Sequence, residues 1–223
     1  MCGRFTNRLT LDAARAATEP ADWIGAEIYR PRWNIAPTDM AWVMVDKLHG
    51  SRVVQPMKWG LRQWWPTKGK ALIPVINARL ESIAGKPTLR SLAGRGRCVV
   101  LADGWLEWRE EDGKQPYLAH RPEGGLLPLA GLWDVFENEL GERDYRFAIV
   151  TRPAREDVAW LHDRMPAILP ARAIAPWLET AGSSAEQGLA ALASAFDEPL
   201  ATRRVSRLMN SVKNDGPEVL ADA

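Results

Sequence analysis

Hydrophobic positions along this chain fall mainly into short runs rich in Val, Ile, Leu and Trp, and turn-forming residues separate these runs. Short runs of this kind, bounded by Gly, Pro, Asn or Asp, are typical of β-strands. Two of them, residues 73–78 and 97–102, are apolar enough to predict buried strands. The other predicted strands are residues 41–45, 53–59, 105–109, 116–119, 129–135, 145–151 and 168–170, with one more within residues 205–219.

Turn and loop signals lie between several of these strands. Residues 49–51 and the Asp112-Gly113 pair each predict a tight connection between two neighbouring strands. Residues 32–37 contain Pro and Asn and are predicted as a loop, and residues 64–69 are predicted as an exposed loop.

Helix signals are fewer than strand signals. Thr10 is a preferred N-cap residue and precedes a short predicted helix. Ser183 with Glu186 predicts a capping box before an Ala- and Leu-rich helix that reaches about residue 196. Pro176 suits the first turn of another helix, because the first N–H groups of a helix have no partner within it.

These elements predict an α+β fold with a barrel-like, mainly antiparallel β core and peripheral helices. The chain has 223 residues, of which 46% are hydrophobic. That length is enough for one substantial core, and no repeat or linker divides the chain. We therefore expect a single domain over residues 1–223.

The charge and cysteine content exclude several classes of protein. With 29 Lys and Arg against 28 Asp and Glu, the chain lacks the basic excess of a protein that coats nucleic acid, so a local cluster of cations must bind any anionic ligand. Two cysteines do not make a disulfide framework. No apolar stretch is long enough to span a membrane, and no secretion signal is recognisable at the start. We expect a cytoplasmic protein.

No sequence pattern indicates a metal or an organic cofactor. The chain has three His, and no spacing of Cys and His matches a zinc site. It also lacks a glycine-rich phosphate loop, a Gly-x-Ser-x-Gly motif and a dinucleotide fingerprint. We therefore expect neither a metal nor a cofactor.

The first residues, Met1-Cys2-Gly3-Arg4, are the strongest single signal for chemistry. If Met1 is removed, Cys2 carries a free α-amine and a thiol on one carbon frame. Their ordinary pKa values, about 7.7–8.0 for the amine and about 8.5 for the thiol, leave part of each in its nucleophilic form at neutral pH. Together they can close a five-membered thiazolidine ring on an aldehyde carbon. The alternative is an ordinary thiol at a frayed terminus.

Two further segments carry polar side chains that could take part in chemistry. Asn77, Arg79 and Glu81 point to the same side if a strand continues through them, or they form a polar strand end that meets solvent. Glu107 lies between Trp and Leu neighbours, where loss of water would raise its pKa towards the range useful for acid–base chemistry. The alternative places Glu107 on the exposed face of an edge strand.

His162 differs from the other two histidines in its surroundings. His49 and His120 fall in turn or loop signals, and we expect both to be solvated. His162 lies between apolar segments with Arg164 two residues on, which favours a pair that faces an anion. The alternative is a structural histidine whose hydrogen bonds are satisfied within the fold.

Nine short segments follow one another over nearly the whole chain, and their ordered occurrence is more specific than any one of them. They are Cys2-Gly3-Arg4-Phe5, Asn34-Ile35-Ala36-Pro37, Trp59-Gly60-Leu61, Asn77-Ala78-Arg79-Leu80-Glu81, Gly104-Trp105-Leu106-Glu107-Trp108, Gly131-Leu132-Trp133, Thr151, His162-Asp163-Arg164-Met165-Pro166 and Asn214-Asp215-Gly216-Pro217-Glu218. In this order they resemble the SOS-response-associated peptidase family, whose members cross-link covalently to abasic sites in single-stranded DNA.

The resemblance implies a role for each candidate residue. It assigns the nucleophile to Cys2, an amide to Asn77, a carboxylate to Glu107 and an imidazole to His162. The residues that it places on DNA are Arg4, Trp64, Trp65, Arg79, Thr151 and Arg164, with the two tryptophans wedged beside the lesion. It implies the α+β barrel-like fold predicted above and single-stranded DNA with abasic sites as the partner, so that the protein is nucleoid-associated when bound to damaged DNA. Nothing in the sequence indicates an obligate interface, and we expect a monomer.

The expected activity is lyase-like and ends in a covalent adduct. His162 promotes opening of the deoxyribose ring, the Cys2 amine attacks C1′ to give a Schiff base, and Glu107 moves the protons. The thiol then closes the thiazolidine, and this second attack is intramolecular because both nucleophiles share one residue. Ring closure removes the open Schiff base, which would invite β-elimination and strand breakage.

Three other functions stay open at this point. Class II glutamine amidotransferases also begin with Met-Cys-Gly and use an N-terminal nucleophile, although this chain lacks the Asn-Gly pair usual in their glutaminase domains. A cysteine peptidase could use Cys2, His162 and Asn77. A non-covalent module for single-stranded DNA would leave Cys2 inert.

Overall fold

The computed structural model describes residues 2–47, 51–62, 73–111, 113–137, 140–193 and 196–222. Within these residues the strands are β1 Phe5–Asn7, β2 Ala21–Trp23, β3 Arg32–Ile35, β4 Met40–Lys47, β5 Ser51–Trp59, β6 Asn77–Arg79, β7 Arg97–Ala102, β8 Gly104–Glu110, β9 Lys114–His120, β10 Leu127–Glu137, β11 Arg143–Pro153, β12 Arg164–Pro166 and β13 Ala201–Arg204. The α-helices are α1 Leu11–Thr18, α2 Leu80–Ile83, α3 Pro87–Arg95, α4 Glu156–Ala159, α5 Ala171–Leu178 and α6 Ala185–Ala191, and short 3₁₀ helices span Ala26–Ile28, Arg207–Asn210 and Pro217–Leu220. None of the helices described is long and apolar enough to cross a membrane.

Five of the strands close into a barrel. The order β11–β10–β7–β4–β5 returns to β11, because β5 and β11 pair in parallel with Trp59 opposite Phe147. The other pairings in this ring are antiparallel. The α+β fold with a barrel-like, mainly antiparallel core is therefore confirmed.

Alternate residues of the barrel strands pack against a second sheet, whose strand order is β13–β9–β8–β1–β3. Val43, Val100 and Ile149 of the barrel share one buried cluster with Phe5 of β1. The Phe5 ring meets Trp59 edge-on, with ring centroids 5.0 Å apart. This contact fixes the beginning of the chain against the barrel core.

The opposite faces of the same strands are covered by helices. Met44, Val99 and Val150 form a second buried cluster with Leu92 of α3 and Trp177 of α5. Burial on both faces explains why β7 is buried at every position, and why its sequence is an apolar run rather than an alternation.

The prediction of a loop at residues 32–37 is wrong, because Arg32–Ile35 forms strand β3. This strand pairs with β1. The carboxylate of Asp215 accepts the backbone N–H groups of Trp33 and Asn34, each at 2.8 Å. A residue near the other end of the chain thus satisfies these N–H groups, and the local sequence does not contain that information.

The buried strand predicted at residues 73–78 is only partly confirmed. Pairing in β6 begins at Asn77, and Val75 makes an isolated bridge to Leu61. Ile73 is 71% exposed. The first half of this apolar run has no continuous partner strand, so composition alone was a poor guide to its structure.

The last two predicted strands are displaced. Ile168 makes an isolated bridge to Leu129, and the nearby strand is Arg164–Pro166. The strand expected within residues 205–219 is Ala201–Arg204 instead. Its pairing with β9 ends at its last residue, and the apolar residues beyond it pack as 3₁₀ helices on the outside of the second sheet.

The capping box lies one residue later than predicted. The hydroxyl of Ser184 accepts the N–H of Gln187 at 3.2 Å, and the Gln187 side chain accepts the N–H of Ser184 at 2.8 Å. The hydroxyl of Ser183 instead accepts a hydrogen bond from the buried Arg97 at 3.0 Å. This tertiary contact decides which of the two serines caps α6, and α6 also ends earlier than predicted.

The other helix predictions have mixed outcomes. Thr10 caps α1 as predicted, and its hydroxyl accepts the N–H of Ala13 at 3.3 Å. Pro176 lies inside α5 rather than in its first turn, because burial of Ala173 and Trp177 sets the extent of that helix. The pattern did not predict α3, whose run of Leu and Ala is interrupted by glycine and arginine.

Candidate active site

Cys2 lies beside strand β8 of the second sheet. The N–H of Leu106 donates to the carbonyl oxygen of Arg4 at 3.0 Å, and this bond sets the first residues of the chain alongside Glu107. Cys2 is fully buried, with 0% of its surface exposed. The alternative of a thiol at a frayed terminus therefore does not fit the structure.

Asn77 holds the backbone of Cys2. The side-chain nitrogen of Asn77 donates to the carbonyl oxygen of Cys2 at 2.8 Å. Strand β6 positions Asn77 through its parallel pairing with β11, where Asn77 is opposite Ile149. The amide oxygen of Asn77 is buried and has no hydrogen-bond partner among the described residues. It can therefore accept a further hydrogen bond.

Glu107 is a buried carboxylate with an unusual pKa. The residue is 5% exposed and lies on β8 between Leu106 and Trp108. Burial raises the pKa of Glu107 from 4.5 to about 7, and the negative charge of Asp163 adds to the rise, while the positive amino terminus of the chain opposes it. The carboxyl group is therefore poised to give or take a proton near neutral pH, as its apolar neighbours predict.

The thiol of Cys2 is held in its protonated form. Burial raises its pKa far above the ordinary thiol value, and the negative charge of Glu107 raises it further. The thiol therefore lacks the ionised fraction that a free cysteine has at neutral pH. It needs a base before it can act as a nucleophile.

His162 follows helix α4 and is partly exposed. Its Nδ1 lies 2.9 Å from the backbone nitrogen of Arg164 and 2.7 Å from a carboxylate oxygen of Asp163. Burial lowers the pKa of His162, and the positive amino terminus lowers it further, against the attraction of Asp163. The imidazole is therefore mainly neutral at pH 7.

Arg4 is anchored on the other side of Cys2. Its guanidinium donates to the side-chain oxygen of Asn34 at 2.6 Å and to the carbonyl of Met209 at 3.3 Å, and it lies 5.5 Å from the ring centroid of Trp108. Asn34 in turn donates to the carbonyl of Asn214 at 2.7 Å. These contacts explain why segments distant in sequence act together in placing Arg4.

Arg164 is held by a carboxylate rather than left open to solvent. Its two terminal nitrogens contact the two carboxylate oxygens of Glu81 at 2.7 and 3.1 Å, and one also donates to the carbonyl of Thr151 at 2.9 Å. The Arg164 side chain is 10% exposed. This hydrogen bond lowers the pKa of Glu81. The side chain of Thr151 is fully buried, and Arg79, opposite Thr151 in the β6–β11 pairing, is exposed.

Glu81 does not belong to the strand that carries Asn77 and Arg79. The strand ends at Arg79, and Glu81 lies in helix α2. The same-side alignment expected for all three side chains therefore holds only for the first two. The position of Glu81 four residues after Asn77 did not predict its ion pair with Arg164. Arg164 lies far along the chain, and the fold brings the two residues together.

His120, expected to be solvated, lies at the end of β9, is only partly exposed and has its Nδ1 2.7 Å from the carbonyl oxygen of Arg121. The other sequence candidates lie outside the described residues. These are Met1, His49, Trp64, Trp65 and Asp112. Among the residues that are described, no group of three or more His, Cys, Asp or Glu side chains is arranged to hold a metal ion.

The fold thus brings four sequence candidates to one place. Asn77 bonds to Cys2, the charge of Glu107 acts on the Cys2 thiol, and the charge of Asp163, next to His162, acts on Glu107. The arrangement surrounds the start of the chain with a neutral imidazole, an amide and a carboxyl group of near-neutral pKa. These are the groups needed to move protons to and from a nucleophile.

The sequence pattern missed the residues that hold these side chains. Asn34 and Glu81 each fix an arginine, although both lie within the segments quoted above. For the contact of Asn34 with Arg4, the available signal was an Asn between apolar residues, since a buried amide needs hydrogen-bond partners. The contact of Glu81 with Arg164 had no comparable signal.

Comparison with known proteins identifies relatives over the whole chain. The profile of the family described as SOS response associated peptidase (SRAP) matches residues 1–212. The abasic site processing protein HMCES of Gallus gallus is 32% identical over 99% of this chain and 77% of that protein. The abasic site processing protein YedK of Escherichia coli is 32% identical over 99% of both chains.

Solved structures share the fold. A protein from Bacteroides thetaiotaomicron superposes with a TM-score of 0.80 at 23% identity, covering 100% of both chains. A phage-related protein from Bordetella bronchiseptica superposes with a TM-score of 0.72 at 27% identity, covering 92% of this chain and 95% of that one.

Proposed function

The chain belongs to the SOS response associated peptidase family, and from that premise we propose that it processes abasic sites in single-stranded DNA by linking itself covalently to them. The observation that carries the proposal is the burial of Cys2 beside Glu107 and Asn77. An abasic sugar exposes an aldehyde when its ring opens, and a residue with an amine and a thiol on adjacent carbons suits that electrophile. The name shared by the relatives, abasic site processing protein, agrees with this substrate.

The first bond is made by the amine. Removal of Met1 leaves the α-amine on Cys2, and its nitrogen attacks C1′ of the open sugar to give a carbinolamine. Loss of water then forms the Schiff base. Glu107, with a pKa of about 7, takes the proton released by the nitrogen and returns one to the departing oxygen.

The second bond is made by the thiol. Its sulfur bonds to the iminium carbon, the C=N electron pair returns to the nitrogen, and the thiol proton passes to Glu107. Because burial keeps the thiol protonated, the amine acts first. One water is lost overall, and sharing one residue gives the second attack an effective molarity of up to about 10⁵–10⁸ M.

His162 and Asn77 assist without forming bonds to the sugar. The neutral His162 can take the proton of the anomeric hydroxyl and return it to the ring oxygen, which promotes opening of the closed sugar. Asn77 fixes the carbonyl of Cys2 and so orients both nucleophiles.

A thiolate-dependent peptidase mechanism has less support. A thiolate–imidazolium pair requires a lowered thiol pKa beside a protonated histidine. Burial instead raises the pKa of Cys2 and lowers that of His162. We therefore propose no peptide hydrolysis through this pair.

The DNA contacts complete the proposal. Phosphates are bound by arginines near the site, and bases stack on the Trp-Trp pair, which suits a lesion that occurs in any sequence. The residues proposed for these contacts are Arg4, Trp64, Trp65, Arg79 and Arg164; the sequence also placed Thr151 on DNA, but its side chain is fully buried, and we propose that it positions Arg164 instead. The protein acts as a monomer on the nucleoid.

The proposal is tested with purified protein whose Met1 removal has been verified by mass spectrometry. We expect a DNA-shifted band on a denaturing gel after incubation with single-stranded DNA that carries one abasic site. The matched control is the same oligonucleotide after borohydride reduction of its sugar, which removes the aldehyde and keeps the missing base. Equal yields from the two oligonucleotides, or no band from either, would contradict aldehyde-dependent linkage.

The ion pair of Arg164 leads to a separate prediction on reversible binding. A phosphate that contacts Arg164 must compete with Glu81 for the same nitrogens. In Glu81→Gln we therefore expect several-fold tighter binding of undamaged single-stranded DNA. The salt dependence of the binding constant should also steepen by about 0.7, the value for one added phosphate contact on a single strand.

The control for this prediction removes the same charge elsewhere. Glu186→Gln breaks the exposed pair with Arg90, so it changes the net charge equally. Fluorescence anisotropy across a salt series measures both variants. An identical salt dependence in Glu81→Gln, Glu186→Gln and the wild type would show that Arg164 gains no phosphate contact.

A further inference from the structure

A cavity of about 450 Å³ lies next to the candidate active site, where strand β6 approaches helix α3. Its volume lies within the range of about 300–1,000 Å³ that is typical of small-molecule sites. Most of its wall is apolar and comes from β6, α3 and the bridge that precedes β6. The apolar lining residues are Leu61, Val75, Ala78, Pro87, Leu89 and Leu92.

The polar part of the lining is positive. Arg62, Arg79 and Lys86 contribute three cations, Thr88 contributes a hydroxyl, and no residue of the described lining is acidic. The whole chain has nearly equal numbers of basic and acidic residues. The three cations are therefore a local cluster, and the cavity suits a ligand with an apolar body and an anionic group.

Asn77 belongs both to this cavity and to the candidate active site. It lines the cavity, and its side-chain nitrogen holds the carbonyl of Cys2. Arg79, two residues on, also lines the cavity. A ligand bound here would therefore lie beside Asn77, the residue that orients the nucleophile.

We propose that the cavity binds the base of the nucleotide next to the abasic site on the same strand, with its phosphate held by Arg79 and Lys86. The inference rests on the proposed function, because it adds a substrate contact to the same site. A nucleotide combines the two required properties, an aromatic base and a phosphate. The apolar wall receives the faces of the base, and Thr88 provides a hydrogen-bonding group for its edge.

The assignment predicts that the neighbouring base adds to DNA affinity. A single strand has no base opposite the lesion, and the abasic nucleotide itself has no base that could stack on the protein. An intact neighbour that enters a cavity restores some of that lost contact. The protein would then prefer an isolated abasic site to one whose neighbour also lacks a base.

The test uses three single-stranded oligonucleotides, each with one reactive abasic site. In two of them the 5′ or the 3′ neighbour is replaced by a tetrahydrofuran spacer, which keeps the phosphate but has neither base nor aldehyde. For the wild type we expect the half-saturating DNA concentration for cross-linking to rise about tenfold with a spacer on at least one side.

Two variants on helix α3 connect this effect to the cavity. Thr88→Phe fills the cavity. In this variant the spacer on one side of the lesion should raise the half-saturating DNA concentration by only about twofold or less, because the variant and the spacer remove the same contact. Ser91→Phe adds the same ring one turn along the helix, at an exposed position outside the cavity lining, and should keep the wild-type loss. Circular dichroism confirms that both variants are folded.

The outcomes distinguish the two proposals. No cross-link of the wild type with any of the three oligonucleotides would contradict the proposed function itself. Cross-linking with equal half-saturation for all three would overturn the cavity inference alone. The cavity inference would also be overturned if the spacers raised the half-saturating DNA concentration of Thr88→Phe as much as that of the wild type. The neighbouring base would then be bound elsewhere, for example by Trp64 and Trp65.

Discussion

In a Cys2→Ala variant, the heat-stable adduct with abasic DNA should fall below detection on a denaturing gel. The thiazolidine needs both nucleophiles of residue 2, and alanine keeps only the amine. An amine alone stops at the Schiff base, which water reverses. The expected effect is therefore the loss of the stable product rather than a slower approach to it.

The same variant should still form the first bond. Once Met1 is removed, the alanine that replaces Cys2 presents an α-amine to the aldehyde, and Glu107 remains close to residue 2. We therefore expect sodium borohydride, added during the reaction, to trap an adduct of Cys2→Ala as a stable secondary amine. This result would place the amine before the thiol.

The second cysteine provides the matched control. Cys98 is as buried as Cys2 but lies on strand β7 of the barrel, opposite Gly131 of β10 and Val45 of β4. Cys98→Ala removes one thiol of the chain and should keep full cross-linking. A stable adduct from Cys2→Ala without borohydride, or its loss in Cys98→Ala, would contradict the role given to Cys2.

The barrel was predictable because its strands are buried on both faces. An apolar, β-branched run such as residues 97–102 fits few other environments, and β7 is Arg97–Ala102 in the structure. Arg97 is the exception within that run. It is buried, and its guanidinium donates to the carbonyls of Ala93 and Trp177, each at 2.5 Å. Although it is charged, Arg97 thus holds helices α3 and α5 against the barrel.

Elements that depend on distant partners were not predictable. Asp215 binds the N–H groups of Trp33 and Asn34 in β3, and Ser184 caps α6 while Arg97 engages Ser183. In each case the local sequence allows more than one structure. A contact formed only in the folded chain then decides between them.

The chemistry of the site was predictable only in part. The apolar residues around Glu107 in sequence predict its raised pKa, but Leu106 and Trp108 pack on the opposite face of β8, so the burial of Glu107 comes from tertiary contacts. The contacts of His162 with the backbone N–H of Arg164 and the carboxylate of Asp163 had no sequence signal. The buried state of Cys2 was likewise invisible, because it requires the pairing of β1 with β8.

In Glu107→Gln, we expect cross-linking to slow by about 10²-fold or more, which is the usual contribution of a positioned acid–base group. Glutamine keeps the shape of the side chain but cannot exchange protons. The wild-type rate should change around pH 7, where Glu107 titrates, and that step should be missing in the variant. Quench-flow or manual sampling across a pH series measures both. Binding of undamaged DNA should stay within about twofold of the wild type, since the group is buried.

The control for the rate is Glu110→Gln, which removes the same charge at the exposed end of the same strand. It should leave both the rate and the pH profile unchanged. An unaltered profile in Glu107→Gln would instead assign the titration near pH 7 to another group, and equal losses of DNA binding and rate would make Glu107 a structural residue.

The same substitution should also change the free energy of unfolding in a pH-dependent way. The pKa of Glu107 is raised by folding from 4.5 to about 7, so between these values the folded chain holds a proton that the unfolded chain releases. The stability of the wild type therefore falls as the pH rises through this window, by on the order of 3 kcal/mol in total. Glu107→Gln lacks this loss. In urea denaturation, its stability relative to the wild type should rise from near pH 4.5 to near pH 7 and stay constant above. A difference independent of pH would mean that burial does not raise the pKa of this carboxyl group, and the acid–base role proposed for it would lose its physical basis.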